Sequence, residues 1–293
     1  MNNNKAKLGV ITDGISRDFE RALGVMTKAG LEYAELQFLW DKEVGDLDAD
    51  ELARVKRLVS DYEVKVACIS RHNFVGMGVN QTEVGDEQYK CHMDGLKRCI
   101  EMAQELECPK VRIMSFRREM ILFGKGGAEH WVAANGAWEK LLELLKPPVE
   151  LAEKEGVQLV LETGNNAMVP SAYLGRKLIE DMGSKHLKIL WDPGNCLCAN
   201  EPAYPDGWEA LKDGYIGHFH IKDAKVNMPH AHVEFCEMGK GDMAPYLEPL
   251  ANEMKLNNYN GYISLESVYR PDGGSFEDGY RASLPKFKEL FDW

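Results

Sequence analysis

Eight short apolar runs recur along this 293-residue chain with amphipathic stretches between them, and that alternation most constrains the fold. The runs occupy residues 8–12, 33–38, 64–70, 110–115, 157–162, 187–192, 216–221 and 262–266. Helical patterns lie at residues 18–29, 48–61, 86–107, 130–155, 172–182, 243–256 and 276–291. Strands joined through helices pair in parallel, because a crossover returns the chain to the same end of the sheet. Right-handed crossovers and eight such units predict a single (β/α)8 TIM barrel, an α/β fold that typically takes about 250 residues. A doubly wound open sheet competes with it, but no G-x-G-x-x-G follows the first run. No Pro/Gly/Ser-rich linker interrupts the pattern, so residues 1–293 read as one domain.

A hydrophobic fraction of 44% is ample for a large core, and the formal net charge is −12. That charge argues against nucleic acid, whose phosphates are bound by Lys and Arg. It argues equally against anionic membrane surfaces. Residues 1–5 carry no apolar signal-peptide core, and no apolar run reaches membrane-spanning length. The seven cysteines are scattered without a C-x-x-C pair. The expectation is therefore a reduced cytoplasmic protein whose cysteines serve as small apolar residues.

Four of the later runs end on polar residues. They are Leu161-Glu162, Trp191-Asp192, the pair His218-Phe219-His220, and Leu265-Glu266. The spacings are 30 residues from Glu162 to Asp192, 28 to His220 and 46 to Glu266. One β/α unit takes about 30 residues, so the ends fall on consecutive strands, the last unit being enlarged by a long loop. A single polar strand end is commonly a helix cap. Burying three carboxylates together is costly without a counter-charge, however, and a bound cation supplies one. Two Glu, one Asp and one His suit one divalent metal ion, with Mn²⁺ the first expectation and Mg²⁺, Co²⁺ or Zn²⁺ alternatives. His218 and His220 point to the same side of their strand, which leaves the imidazole ligand as one of two.

Other polar groups follow strand ends, where barrel sites are built. Lys222 continues the inward alternation beyond His220. Asn195 lies in the turn after Asp192, His72 and Arg117 come after the third and fourth runs, and Arg270 follows Glu266. With His218, these are candidates for substrate contacts, each with an ordinary structural reading as a core, cap or surface residue. Three long connections, at residues 72–85, 117–129 and 224–241, suit binding walls or lids. The second contains Gly124-Lys125-Gly126-Gly127.

Taken together, Leu161-Glu162-Thr163, Trp191-Asp192-Pro193-Gly194-Asn195, His218-Phe219-His220-Ile221-Lys222-Asp223 and Leu265-Glu266 resemble the sugar-phosphate isomerase/epimerase group of xylose isomerase-like TIM barrels. That group is related to ketose 3-epimerases, inosose dehydratases and endonuclease IV. The resemblance implies a metal held by Glu162, Asp192, His220 and Glu266. It also implies that Glu162 and Glu266 act as acid and base on opposite faces of a substrate. Two departures stand out: Asn195 occupies a position where the epimerases carry His, and Lys222 and Lys225 stand where they carry Arg.

The leading expectation is a metal-dependent sugar isomerase or epimerase that removes a proton next to a carbonyl and passes through an enediolate. A dehydratase or lyase acting on a keto-inositol or 3-keto-glycoside shares that first step. An endonuclease IV-like repair enzyme uses a three-zinc cluster with several more histidine ligands and a basic DNA-binding face, against which stand eight histidines and a net charge of −12 here. A non-catalytic sugar-binding barrel is the remaining alternative. The expected partner is a small sugar or polyol, with a homo-oligomer possible because exposed barrel helices often pair.

Overall fold

The computed structural model describes residues 5–118 and 136–293. Eight parallel strands close into a barrel: β1 Lys7–Ile11, β2 Tyr33–Leu36, β3 Lys65–Ile69, β4 Lys110–Ile113, β5 Gln158–Glu162, β6 Leu187–Trp191, β7 Ile216–Ile221 and β8 Tyr262–Leu265. Each strand pairs with its sequence neighbours, and β8 closes on β1 through Lys7–Tyr262 and Val10–Leu265 pairings. This is a single TIM barrel, and all eight sequence runs fall on its strands. The Gly124-Lys125-Gly126-Gly127 segment and the first residues of the 130–155 helical pattern lie outside the described residues.

The connecting helices are α1 Phe19–Lys28, α2 Ala49–Asp61, α3 Glu87–Glu105, α4 Ala137–Glu155, α5 Ala172–Met182, α6 Trp208–Leu211, α7 Ala244–Leu256 and α8 Phe276–Phe291. Their starts have local causes. Asp48 with Glu51, and Ser275 with Asp278, form capping boxes that satisfy first-turn amides on α2 and α8. Gly156 and Gly183 end α4 and α5 in the left-handed region, at φ +70° and +64°. The β6–β7 connection departs from regular units. It makes a helical turn at Pro193–Cys196 and then only four residues of α6, whose Trp208 is buried.

Alternation along the strands decides what faces the barrel axis. Leu161, Trp191, Phe219 and Leu265 belong to the main core, which packs the strands against the helices. Cys68, Val160 and Leu190 form a separate buried cluster. Glu162 lies two residues beyond Val160 and Asp192 two beyond Leu190, so both share the inward face of that cluster. Beyond β7, the expected long loop is instead an antiparallel ribbon, Asp223–Asn227 paired with His232–Cys236. The Asp223 carboxylate anchors it by accepting from the backbone N–H groups of Ala224, Gly239, Gly241 and Met243. Among the described residues no helix is long and apolar enough to cross a membrane.

Candidate metal centre

At the C-terminal ends of β5 to β8, Glu162, Asp192, His220 and Glu266 each offer a ligand atom within 4.8 Å of the others. Glu162 is the last residue of β5, and Asp192 and Glu266 each follow their strand directly. Asp192, His220 and Glu162 are almost fully buried. The sequence thus brings four strand ends to one place because four inward positions fall at the same barrel level.

The imidazole of His220 is the most telling member. Its Nε2 lies 2.8 Å from Oε1 of Glu35, whereas its Nδ1 is buried without a hydrogen-bond partner. That Nδ1 stands 3.6 Å from Glu162 Oε1 and 3.6 Å from Glu266 Oε2. A lone pair facing two carboxylate oxygens is unsatisfied until a proton or a metal ion comes between them. The donor set of three carboxylates and one imidazole therefore fits a divalent cation.

Charge balance points the same way. Glu35, Glu162, Asp192 and Glu266 are opposed by two fixed cations, Arg112 and Lys222, which leaves two negative charges. Arg112 donates to Glu162 Oε2 at 2.9 Å and to the backbone oxygen of Ser70 at 2.6 Å. The Lys222 ammonium bridges Asp192 Oδ2 at 2.5 Å and Glu266 Oε2 at 2.6 Å. Burial pushes the Asp192 carboxyl up to about 7 against the pull of Lys222, with Glu266 and Glu162 adding to the rise. Burial also acts on Glu266, but Lys222 and His220 outweigh it and hold that carboxyl well below the usual range. His220 is disfavoured as a cation by burial, yet Glu35, Glu162 and Glu266 together raise it well above an ordinary imidazole. Without a metal, the cluster draws protons to make up its missing positive charge.

The other sequence candidates divide. Lys222 lies in the cluster, and the Asn195 side-chain amide donates to the Thr163 carbonyl at 2.9 Å and approaches Glu162 Oε1 at 3.4 Å. His218 is wholly buried beneath His220, its Nε2 2.7 Å from Glu35 Oε2. His72 is engaged with Glu43, whose Oε1 lies 2.7 Å from its Nδ1. Arg117 donates to the Gly76 carbonyl at 3.3 Å and to Gln81 at 3.4 Å, bracing the loop after β3. Arg270 is exposed, with its guanidinium 5.9 Å from the centre of the Phe276 ring. A cleft of about 440 Å³ opens beside Glu266, lined by Asp13, Ile15, Arg17, Phe38, Ser267 and Phe276.

Two central groups escaped the sequence reading. Glu35 sits in β2 between buried Ala34 and Leu36, and Arg112 in β4 between Val111 and Ile113. A charge inside a buried run must find a counter-charge, and that was the available signal.

Fold and site together define a TIM barrel with a carboxylate–imidazole centre at its C-terminal mouth. The chain belongs to the xylose isomerase-like TIM barrel family, whose model matches residues 24–290. Among solved structures it is similar to a D-tagatose 3-epimerase-like protein, at 19% identity and TM-score 0.71 over 98% of each chain. It is also similar to the apo 3-keto-D-glucoside 4-epimerase of E. coli, at 19% identity and TM-score 0.67, covering 99% of this chain and 100% of that one. A third similar structure is the IOLI protein with a bound zinc atom, at 14% identity and TM-score 0.70 over 98% of each chain. No curated protein sequence matches the chain.

Proposed function

We propose that this protein is a divalent-metal-dependent sugar isomerase or epimerase that removes and returns a proton beside a carbonyl. The observation that carries this reading is the convergence of Glu162, Asp192, Glu266 and the unpartnered Nδ1 of His220. Epimerase names among the similar structures support the sugar chemistry. Glu162, Asp192, His220 and Glu266 would hold the metal, with Mn²⁺ the first ion to try. When bound, such an ion polarises a carbonyl oxygen and stabilises the negative charge that develops when the adjacent carbon loses its proton.

The side chains of the chain itself supply the remaining functions. Glu162 and Glu266 stand on opposite strands of this half of the mouth and serve as the proton-transfer pair, one carboxylate to each face of the substrate carbon. Arg112 fixes Glu162 through Oε2, which leaves Oε1 toward the centre. Lys222 holds Glu266 through Oε2 and keeps that carboxylate ionised. Glu162 is buried in the barrel, away from bulk water, whereas Glu266 is partly exposed at the edge of the cleft. The cleft beside Glu266 gives the rest of a small sugar a place to lie.

Incubation of the Mn²⁺-loaded protein in D₂O with a panel of ketoses and keto-inositols tests the reading. Deuterium entering recovered sugar, with isomer formation, is the expected result. Loss of water instead identifies a dehydratase built on the same first step. Purified protein that retains only a small fraction of one metal equivalent after Mn²⁺ loading overturns the site.

A further inference from the structure

Glu35 is completely buried in β2, far from the mouth in sequence, yet both of its carboxylate oxygens face an imidazole nitrogen. Oε2 lies 2.7 Å from Nε2 of His218, and Oε1 lies 2.8 Å from Nε2 of His220. The Ser70 hydroxyl also donates to Oε1. These separations are hydrogen-bond lengths, and they leave no room for an ion between oxygen and nitrogen. Although Glu35, His218 and His220 have the composition of a metal site, protons hold this trio together.

The chemical consequence concerns the tautomer. An ionised carboxylate only accepts, so each Nε2 must carry its proton. For His220 this leaves Nδ1 as the nitrogen with the lone pair. That is the atom 3.6 Å from both Glu162 and Glu266. A partner that fixes one ring nitrogen decides which nitrogen is free to ligate.

We propose that Glu35 is a positioning residue that presents Nδ1 of His220 to a divalent ion held with Glu162, Asp192 and Glu266. This inference rests on the metal reading above and deepens it. Glu35 touches neither the ion nor the substrate and acts through the imidazole. Glu35→Gln removes the double acceptor: the amide oxygen accepts from one imidazole, but the amide nitrogen can only donate to the other. One ring must then reverse its tautomer, and reversal at His220 puts a proton on the atom that should bind metal.

The test uses Mn²⁺ alone and Zn²⁺ alone as probes. Titration calorimetry should show Mn²⁺ binding to Glu35→Gln about 10- to 100-fold more weakly than to the wild type, in line with losses of orienting partners at other metal sites. A purely structural role would lower the melting temperature and leave the affinity of the folded fraction unchanged. A second measurement avoids the variant: ¹⁵N NMR of Zn²⁺-loaded wild-type protein should find the His220 proton on Nε2 and the metal on Nδ1. Unchanged Mn²⁺ affinity in folded Glu35→Gln, or metal on Nε2, overturns the positioning role alone. A wild-type protein that binds neither ion overturns that role and the metal reading together.

Discussion

The two halves of the barrel mouth carry different kinds of chemistry. Strands β5 to β8 contribute Glu162, Asp192, His220 and Glu266, whose free atoms converge on one point. Strands β2 and β4 contribute Glu35 and Arg112, which reach His220 and Glu162 of that first set, and Ser70, just after β3, bonds to both Glu35 and Arg112. The difference teaches that the converging groups are placed by strand ends, whereas their orientation and charge state are set from across the barrel. Arg112 reaches Glu162, and Glu35 reaches His220, over separations of 50 and 185 residues in the chain.

Substitutions in each half test that division. Glu266→Gln and Glu162→Gln each remove one of the two carboxylates proposed to transfer protons, while preserving shape. Solvent deuterium exchange into substrate should fall by roughly 10²- to 10⁴-fold, with the circular dichroism spectrum unchanged. Retained exchange in either variant would break the assignment of chemistry to the β5–β8 half. Arg112→Met removes one partner of a buried ion pair and leaves Glu162 uncompensated. Denaturant unfolding should show a loss of about 3–5 kcal/mol. A loss no larger than that of a surface substitution would mean that the β2–β4 half is not a support.

The division also has a pH signature. A bound metal would have to displace the proton from His220, which Glu35, Glu162 and Glu266 hold more tightly than on an ordinary imidazole, and from Asp192, whose carboxyl burial pushes up to about 7. Metal binding therefore releases protons, and Mn²⁺ affinity should rise from pH 6 to pH 8, by up to roughly tenfold per pH unit for each proton displaced. A flat profile across that range would show that neither group is protonated in the metal-free protein. The smallest effect is expected far from both halves. Arg270 is exposed and its charge lies over Phe276, so Arg270→Ala should change unfolding free energy by within about 0.5 kcal/mol and leave Mn²⁺ affinity unaltered.

The fold was legible because its signal is local and repeated. Seven of the eight strands fall within an apolar run, β1 begins one residue before its run, at Lys7, and α5 begins and ends on the expected residues, Ala172 and Met182. The β5–β8 cluster was legible for a related reason. A polar residue that ends a buried run is visible without any knowledge of its partner, and spacings of one unit place the ends on neighbouring strands. Less was legible after Ile221, where the long connection folds as a ribbon held by Asp223. No local pattern announces that one carboxylate will gather four backbone N–H groups. His72 and Arg117 show the converse. Both follow strand ends, yet both are engaged by groups that local pattern does not indicate, Glu43 for one and Gly76 and Gln81 for the other.

Sequence by itself determined the eight-unit barrel and the set of four strand-end groups, since both follow from periodicities of two and 3.6 residues and from unit length. It also narrowed the imidazole to a strand on which His218 and His220 face the same way. Tertiary structure alone decided how those two differ. His218 is enclosed below, while His220 places one nitrogen on Glu35 and the other toward Glu162 and Glu266. The reason is physical: which nitrogen keeps a proton depends on an acceptor 185 residues away, and only closing the barrel brings that acceptor within reach.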